Sequence, residues 1–342
     1  MTMHAVLENS LLSRWATLLP RAPGQLGRVH EADCELVPLG DGRLLAITID
    51  AVDEELEALY GSPRTAGRIA AVASLSDLAA VGADPLGLLL SASLPANHTT
   101  EVQTRIAEGV AEACALAGTF VLGGDTSEAA TLRIACVGVG TVPAAGVLRR
   151  VGLRPGDRLF ASGPLGTGAA LAGVKLLGLA LEGAGIDEAS FFPPCRIAHG
   201  RALRGIASAC IDTSDGLFAA VDQLARINRV AIDLDRELGA LLAPAAEEVR
   251  RALGSSAFPL LASAHGEFEL VFGVPPERLD ALAAAARALD WRPVPLGNVN
   301  EGEGLRVGRA SVDGAKVRNL YAESGGDVRR YVASLVRLGR AL

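Results

Sequence analysis

The chain has 342 residues, a length that suits two domains or one large domain and excludes a mini-protein held together by disulfides. Half of the residues are hydrophobic but only 13 are aromatic (8 Phe, 3 Tyr and 2 Trp), which indicates a mainly aliphatic core. The net charge of −7, with no run of five like charges, argues against nucleic-acid binding and against a polybasic membrane patch.

Cysteine usage and hydropathy bear on the compartment. The five cysteines are odd in number and form no Cys-x-x-Cys pair, which excludes a disulfide framework and a zinc site of that type. The first twenty residues lack the pattern of a signal peptide, and the longest apolar-rich stretch, Leu165–Ala184, is interrupted by Lys175 and Glu182. We therefore expect a cytoplasmic protein without a membrane span.

The predicted elements of the first half alternate between strands and helices. They are a strand Arg43–Asp50, a helix that Ser62 caps and Gly82 ends, a helix from Thr99 or Thr100 to Gly118 with Thr100 and Gln103 as a capping box, a short strand Thr119–Leu122 that breaks at Gly123, and a strand Thr131–Val142. Asp77 lies near the C-terminal end of the first of these helices. Pro143–Gly146 then indicates a domain border near residue 147.

The second half repeats the mixed pattern and ends in an amphipathic tail. It comprises a strand Arg158–Ser162, a Gly-rich turn, a helix to about Leu181, a helix Arg196–Ser208, a helix from Leu217, strands Val230–Leu234 and Phe268–Val274, a helix Pro276–Leu289, a hairpin turned at Asp313-Gly314, and an amphipathic segment Asp327–Leu342. The pattern predicts an α/β protein with mixed sheets and two domains, residues 1–147 and 148–342.

Acids that end strands or begin turns are the most informative candidates for chemistry. They are Asp33, Asp50, Asp77, Asp125, Asp212 and Asp215. Each of them alone is explained as a cap or turn former. Several carboxylates gathered on apolar elements repel one another unless a cation lies among them, and hard oxygen ligands suit Mg²⁺ bound together with substrate phosphates.

Two further features indicate phosphate binding. Gly123-Gly124-Asp125-Thr126 follows a strand and offers free backbone N–H groups, and Arg149-Arg150 near the domain border supplies cations. A surface pair beside a linker explains the arginines equally well. No Gly-x-x-x-x-Gly-Lys loop and no protein-kinase motif series occurs, so the two commonest phosphoryl-transfer architectures are excluded.

The motifs taken together resemble a known family. Ser74–Pro85, Gly123-Gly124-Asp125-Thr126, Leu148-Arg149-Arg150 and Asp212-Thr213-Ser214-Asp215-Gly216-Leu217 follow one another as in thiamine-monophosphate kinase, a member of the superfamily of aminoimidazole ribonucleotide (AIR) synthetase. The resemblance implies a two-domain AIR synthase-like α/β fold, a homodimer formed through the N-terminal sheets, and ATP bound with Mg²⁺ at the domain junction.

The same resemblance assigns roles to individual residues. Acids that hold metal match Asp33, Asp50, Asp77, Asp125 and Asp215. Positions near the nucleotide match Gly123, Gly124, Asp125, Thr126, Arg150 and Ser214, and among these sets Asp125, Asp215 and Arg150 would serve catalysis. In such a kinase the γ-phosphoryl group passes directly to a small acceptor, so the protein contributes positioning and charge neutralisation rather than a nucleophile.

This chain departs from the family pattern at several charged positions. An acid of the early Gly-Asp-Asp is Ala32, a cation after Gly-Gly-Asp is Glu128, and an acid one turn after Ser-Asp-Gly-Leu is Ala220. Two alternatives therefore stay open at the level of sequence. One is an ATP-dependent ligase or cyclase of the AIR synthetase type, in which His265 near Glu267 takes a proton; the other is a non-catalytic relative with degenerate metal sites.

Overall fold

A five-stranded mixed sheet organises the first half of the described chain. A computed structural model describes residues 6–53, 62–178, 191–235, 237–264 and 267–340. Within these residues the strands are β1 (Glu35–Pro38), β2 (Arg43–Asp53), β3 (Asp84–Pro95), β4 (Val121–Ala129) and β5 (Arg133–Pro143), in the order β1-β2-β5-β3-β4. Only the β3–β4 pair is parallel. The fold class is therefore confirmed as mixed α/β.

Two helices cover one face of this sheet, after an N-terminal helix α1 (Leu7–Ala16). They are α2 (Pro63–Ala80), which Ser62 caps through its Oγ, and α3 (Thr100–Ala117), which ends at the left-handed Gly118. The cap of α3 is Thr99, whose side chain accepts from the Val102 N–H, so the predicted Thr100–Gln103 capping box is wrong. The helix axes approach closely because Gly67 and Gly109 carry no Cβ at their crossing.

Replacing Gly109 by Ala tests this close approach. A Cβ at Gly109 would lie 1.9 Å from the Arg64 carbonyl oxygen, so the helices must separate. We expect the free energy of unfolding to fall by about 1–3 kcal/mol, the usual effect of overpacking. Urea denaturation measures the change, and Gly173→Ala, which meets nothing within 4 Å, is the matched control that should not destabilise.

A seven-stranded sheet organises the rest of the described chain. Its strands, in chain order, are β6 (Arg158–Ala161), β7 (Ala209–Asp212), β8 (Ala231–Leu234), β9 (Leu270–Val274), β10 (Val294–Asn300), β11 (Gly304–Val307) and β12 (Ala310–Val312), arranged β12-β11-β8-β10-β6-β9-β7. The helices around it are α4 (Thr167–Leu177), α5 (Ile197–Ala202), α6 (Leu217–Asn228), α7 (Pro244–Leu253), α8 (Phe258–Ala262), α9 (Leu279–Ala288), α10 (Gly314–Glu323) and α11 (Val328–Gly339).

Three predicted elements differ from the structure in this half. Asp313 turns no hairpin: its side chain accepts from the Lys316 N–H and caps α10, while the hairpin turns at the left-handed Gly308. The helix predicted for Arg196–Ser208 is only Ile197–Ala202, and the helix predicted from Pro276 starts as a 3-10 turn before α9. The C-terminal part of the helix predicted to Leu181 lies outside the described residues.

The amphipathic tail and the inward stripe of α6 are confirmed. Leu217, Val221 and Leu224 of α6 are buried, as are Tyr331 and Leu335 of α11. None of the helices in the described segments is long and apolar enough to cross a membrane.

The two sheets meet at α2 and α5. Gly200 of α5 lies so close to the end of α2 that a Cβ would come within 2.0 Å of the Ala79 carbonyl oxygen. Beside it, Arg204 donates to Gly82 O (2.6 Å) and to Asp84 Oδ2 (2.8 Å). These contacts bring the C-terminal end of α2, with Asp77, against the end of β7, with Asp212.

Candidate active site

Three carboxylates from separate segments meet between the two sheets. One oxygen each of Asp33, before β1, Asp77, on α2, and Asp212, at the end of β7, lie within 4.8 Å of one another. Opposite ligands of Mg²⁺ are about 4 Å apart, so this spacing suits a single hard cation after small adjustments. Since the chain supplies these acids from both sides of the junction, the site is complete only when both halves are packed together.

Hydroxyl groups hold the carboxylates in place. Thr48 Oγ1 donates a hydrogen bond to Asp77 Oδ2, and Ser76 Oγ donates to Asp212 Oδ2 at 2.8 Å. Ser214 Oγ donates to the other oxygen of Asp212 at 3.0 Å. The bond from Ser76 joins α2 directly to the second sheet and is buried at both ends.

Asp50 extends the cluster on the side of β2. Its carboxylate lies beside that of Asp77 and accepts from Ser74 Oγ at 3.4 Å. Ser74 also donates to Cys136 O at 2.7 Å, which fixes this hydroxyl between α2 and β5. The side chain of Asp50 therefore faces α2, the helix that carries Asp77.

The electrostatics of this group are those of a cation-binding site. Burial, followed by the neighbouring acid charges, raises the pKa of Asp77 well above its usual range, and burial raises the pKa of Asp50. Burial and then Asp33 raise the pKa of Asp212 to about 7. Asp33 Oδ2 is buried without a hydrogen-bond partner among the described residues. Raised carboxyl pKa values beside an orphaned carboxylate oxygen fit a site for Mg²⁺.

Arg150 lies against the same cluster. Its Nη2 donates to Asp33 Oδ1 at 2.8 Å, and a fifth of its side chain is exposed. Burial lowers the pKa of Arg150, but the neighbouring acids, Asp33 first and then Asp77 and Asp212, together outweigh burial and raise it overall. The main chain of Arg150 is fixed on both sides, by the Glu31 carbonyl oxygen and by Asn228 Nδ2. The structure thus brings Arg150 to the acids.

The Gly-Gly-Asp-Thr motif lies elsewhere than predicted. It forms no loop after a short strand, because β4 runs without a break from Val121 to Ala129. Gly124 is required by the neighbouring strand, since a Cβ there would lie 1.8 Å from Leu90 O. The prediction of a strand that ends at Gly123 is therefore wrong.

Asp125 points away from the buried acids in this chain. It pairs with Ser91 of β3, which in turn pairs with Ala135 of β5, and residues paired in this way share one face of a sheet. Ala135 pairs with Ala51, the neighbour of Asp50, so Asp50 and Asp125 belong to opposite faces. Asp125 and Thr126 are exposed on an edge strand.

Asp215 borders a cavity whose lining includes Ala51, the neighbour of Asp50. It follows Ser214 at the start of α6, is exposed, and lines a cavity of about 390 Å³ between α1, the end of β2, α10 and α11. Glu8, Asp53 and Arg318 line the same space. No sequence signal indicated this cavity, because it joins segments from opposite ends of the chain.

A second pair of buried acids supports the loop that carries Asp212. Glu269 accepts from Arg196 Nε at 2.7 Å, and its carbonyl oxygen accepts from Thr213 Oγ1 at 3.0 Å. Glu267 accepts from the Gly166 N–H at 2.8 Å, and burial raises its pKa to about 8. Phe268 between them is buried with a left-handed φ of 49°, a strained conformation for an aromatic residue. His265 lies outside the described residues.

Three residues of this chain replace charged residues of the family pattern, and each fits its local environment. Ala32 packs against the core beside Asp33, Ala220 is buried in α6, and Glu128 is exposed on β4. Asp212, which the family pattern alone did not include among the metal ligands, is a full member of the cluster. Its position at the end of a strand was the signal that identified it.

The chain matches known proteins along most of its length. Residues 31–142 match the family model "AIR synthase related protein, N-terminal domain". Thiamine-monophosphate kinase of Halobacterium salinarum is 34% identical over 76% of this chain and 85% of its own length, and that of Haemophilus influenzae is 30% identical over 86% and 89%.

A solved structure described as "AaThiL complexed with AMPPCP and TMP" superposes with a TM-score of 0.75 at 26% identity, covering 91% of this chain and 97% of that one. The chain therefore belongs to the thiamine-monophosphate kinase family of AIR synthase-related proteins, a family of ATP-dependent kinases.

Proposed function

We propose that this protein transfers the γ-phosphoryl group of Mg²⁺-bound ATP directly to the phosphate of a small acceptor, with thiamine monophosphate as the first candidate. The observation that carries the proposal is the cluster of Asp33, Asp77 and Asp212 beside the cavity that Asp215 borders. The relatives named as thiamine-monophosphate kinases, and the related structure that holds AMPPCP and TMP, support both the donor and the acceptor.

The covalent step needs no protein nucleophile. An oxygen of the acceptor phosphate attacks the γ-phosphorus, a new P–O bond forms, the bond between that phosphorus and the β,γ-bridging oxygen breaks, and ADP leaves. When bound, Mg²⁺ would neutralise phosphate charge in this step. Asp33, Asp50, Asp77, Asp212 and Asp215 would hold it, and Arg150, fixed at the same place, would neutralise further phosphate charge.

The Gly-Gly-Asp-Thr motif is proposed to meet ATP across a subunit interface. Gly123, Gly124, Asp125 and Thr126 are solvent-exposed on β4, whose outer edge has no partner strand among the described residues. Exposed apolar side chains surround this edge: Leu86, Leu89, Leu116, Phe120, Val121 and Leu122. An unpaired edge and a large apolar patch support association through the N-terminal sheet, and light scattering should find a homodimer.

The domain border near residue 147 and a cytoplasmic location belong to the same proposal. The strands of the first sheet all precede residue 147 and those of the second all follow it, within the described segments. The five cysteines are free, which suits a reducing compartment.

Calorimetric titration of ATP with and without Mg²⁺ tests the proposal. We expect Mg²⁺-dependent binding to the wild type and its loss in Asp77→Asn and Asp125→Asn. Incubation with thiamine monophosphate should then yield the diphosphate and ADP without free phosphate, whereas a ligase would release phosphate. If the folded wild type binds no ATP, the kinase proposal fails and a non-catalytic relative remains.

A further inference from the structure

The cavity beside Asp215 has one cationic side chain in its described lining, Arg318 of α10. Acidic side chains line the same space: Glu8 of α1, Asp53 at the end of β2, and Asp215. An anionic molecule entering the cavity would therefore meet repulsion everywhere except near Arg318 and near any cation held by the acid cluster.

Arg318 is buried, and within the described segments no carboxylate lies within direct hydrogen-bond distance of it. Only 9% of its side chain is exposed, and its Nη1 and Nη2 donate to neutral amide oxygens, Gln223 Oε1 at 2.6 Å and Asn9 Oδ1 at 3.2 Å. The carboxylate that pairs with it among the described residues is Glu8, whose oxygen is 3.9 Å away and whose side chain is 65% exposed. Burial lowers the pKa of Arg318, although an arginine stays charged at neutral pH.

An aromatic wall lies next to this cation. Tyr321 and Tyr331 both line the cavity, with ring centroids 5.6 Å apart and planes nearly perpendicular. The Tyr331 hydroxyl is held by the Ala264 N–H at 3.2 Å, so this ring has a fixed position. The cavity thus combines a flat apolar surface, on which a heteroaromatic ring can pack, with a guanidinium group.

We propose that Arg318 recognises the phosphate of a small phosphorylated heteroaromatic acceptor in this cavity. The inference rests on the proposed kinase function and names the residue that selects the acceptor. A phosphomonoester carries nearly two negative charges at neutral pH, and the planar guanidinium is the side chain best suited to bind it through two hydrogen bonds. Asp215 borders the same cavity and follows Asp212 of the acid cluster by three residues, so a phosphate held by Arg318 would share this cavity with a residue that adjoins the cluster.

Arg318→Gln tests this role with thiamine monophosphate and its unphosphorylated analogue, thiamine, as the probes. Gln keeps hydrogen-bonding capacity towards Asn9 and Gln223 but removes the charge. Calorimetric titration should show that the variant binds thiamine monophosphate at least about tenfold more weakly, the effect of losing a hydrogen bond to a charged group. Thiamine should bind the wild type and the variant equally. Arg318→Lys, which keeps the charge, should recover part of the loss.

Asn9→Ala separates recognition from a purely structural role. This variant removes one partner of Arg318 and one contact of α1 without changing the charge of the cavity, so the discrimination between phosphorylated and unphosphorylated probes should persist. Arg318 would only anchor α1 if Arg318→Gln lost the same affinity for thiamine monophosphate and for thiamine. The same conclusion would follow if Asn9→Ala lost as much affinity for thiamine monophosphate as Arg318→Gln. Failure of thiamine monophosphate to bind the folded wild type would also overturn the inference, whereas Mg²⁺-dependent ATP binding would still decide the kinase proposal independently.

Discussion

Replacing Asp77 by Asn should lower phosphoryl transfer by at least about 100-fold, more than is usual for residues that only orient metal ligands. Asp77 lies with Asp33 and Asp212 in the acid cluster, and the charge of Asp50 acts on it as well. Asn retains an oxygen that can accept from Thr48 but removes one negative charge from the cation site. Steady-state kinetics over a range of Mg²⁺ concentrations measures the loss.

The same substitution should stabilise the metal-free protein. Without a cation, burial and the charges of Asp50 and Asp212 disfavour the ionised form of Asp77, so a neutral amide relieves repulsion. We expect Asp77→Asn to melt at a higher temperature than the wild type in EDTA and to gain less on addition of Mg²⁺. Asp280→Asn, an exposed acid on α9, is the control and should match the wild type in both assays. Activity within tenfold of the wild type would exclude Asp77 from the site.

Local sequence signals located most of the first sheet and its helices. Ser62, Thr99 and Gly118 mark helix ends because caps and left-handed glycines have short-range causes that a sequence displays. The prediction of a loop at Gly124 was wrong for a long-range reason. Gly124 lies in a strand, and the glycine is needed there because the Leu90 carbonyl oxygen occupies the space of a Cβ. The prediction of a hairpin turn at Asp313 was wrong because the same Asp-Gly pair can either turn a hairpin or cap a helix.

The candidate site was predictable where the chain supplies acids at the ends of regular elements. Asp33, Asp77 and Asp212 were identified in this way, and the structure brings them together. Arg318 carried no signal, because its environment depends on Asn9 and Gln223, far away in the sequence. Asp50 and Asp125 lie on opposite faces of the first sheet. This placement depends on the strand register across β2, β5, β3 and β4, which no local sequence pattern specifies.

The wild type should lose stability as the pH rises, and Glu267→Gln should remove part of this pH dependence. Burial first, and then the charge of Glu269, raises the pKa of Glu267 to about 8, against about 4.3 for a glutamate in an unfolded chain. Between these values the folded protein keeps a proton that the unfolded chain releases. The contribution of Glu267 to stability is therefore complete below pH 4.3 and is lost as the pH rises towards 8.

Urea denaturation of both proteins in EDTA from pH 5 to pH 8.5 measures this difference. Gln keeps an acceptor for the Gly166 N–H and cannot ionise, so the stability of the variant relative to the wild type should rise by about 4 kcal/mol across this range. The raised pKa values of Asp77 and Asp212 act in the same direction, but both residues are present in both proteins, so their effects cancel in the comparison. Glu247→Gln is the control: a hydrogen bond from Arg250 lowers the pKa of Glu247 to about 2, so its curve should run parallel to that of the wild type.

Parallel curves for Glu267→Gln and the wild type would reverse the interpretation of this buried acid. Glu267 would then be ionised throughout the range, and the N–H groups of Gly166 and Gly168 at the start of α4 would stabilise the anion strongly enough to outweigh its burial. The strained backbone of Phe268 would in that case hold a charged carboxylate on a helix N-terminus, rather than a neutral acid in the core.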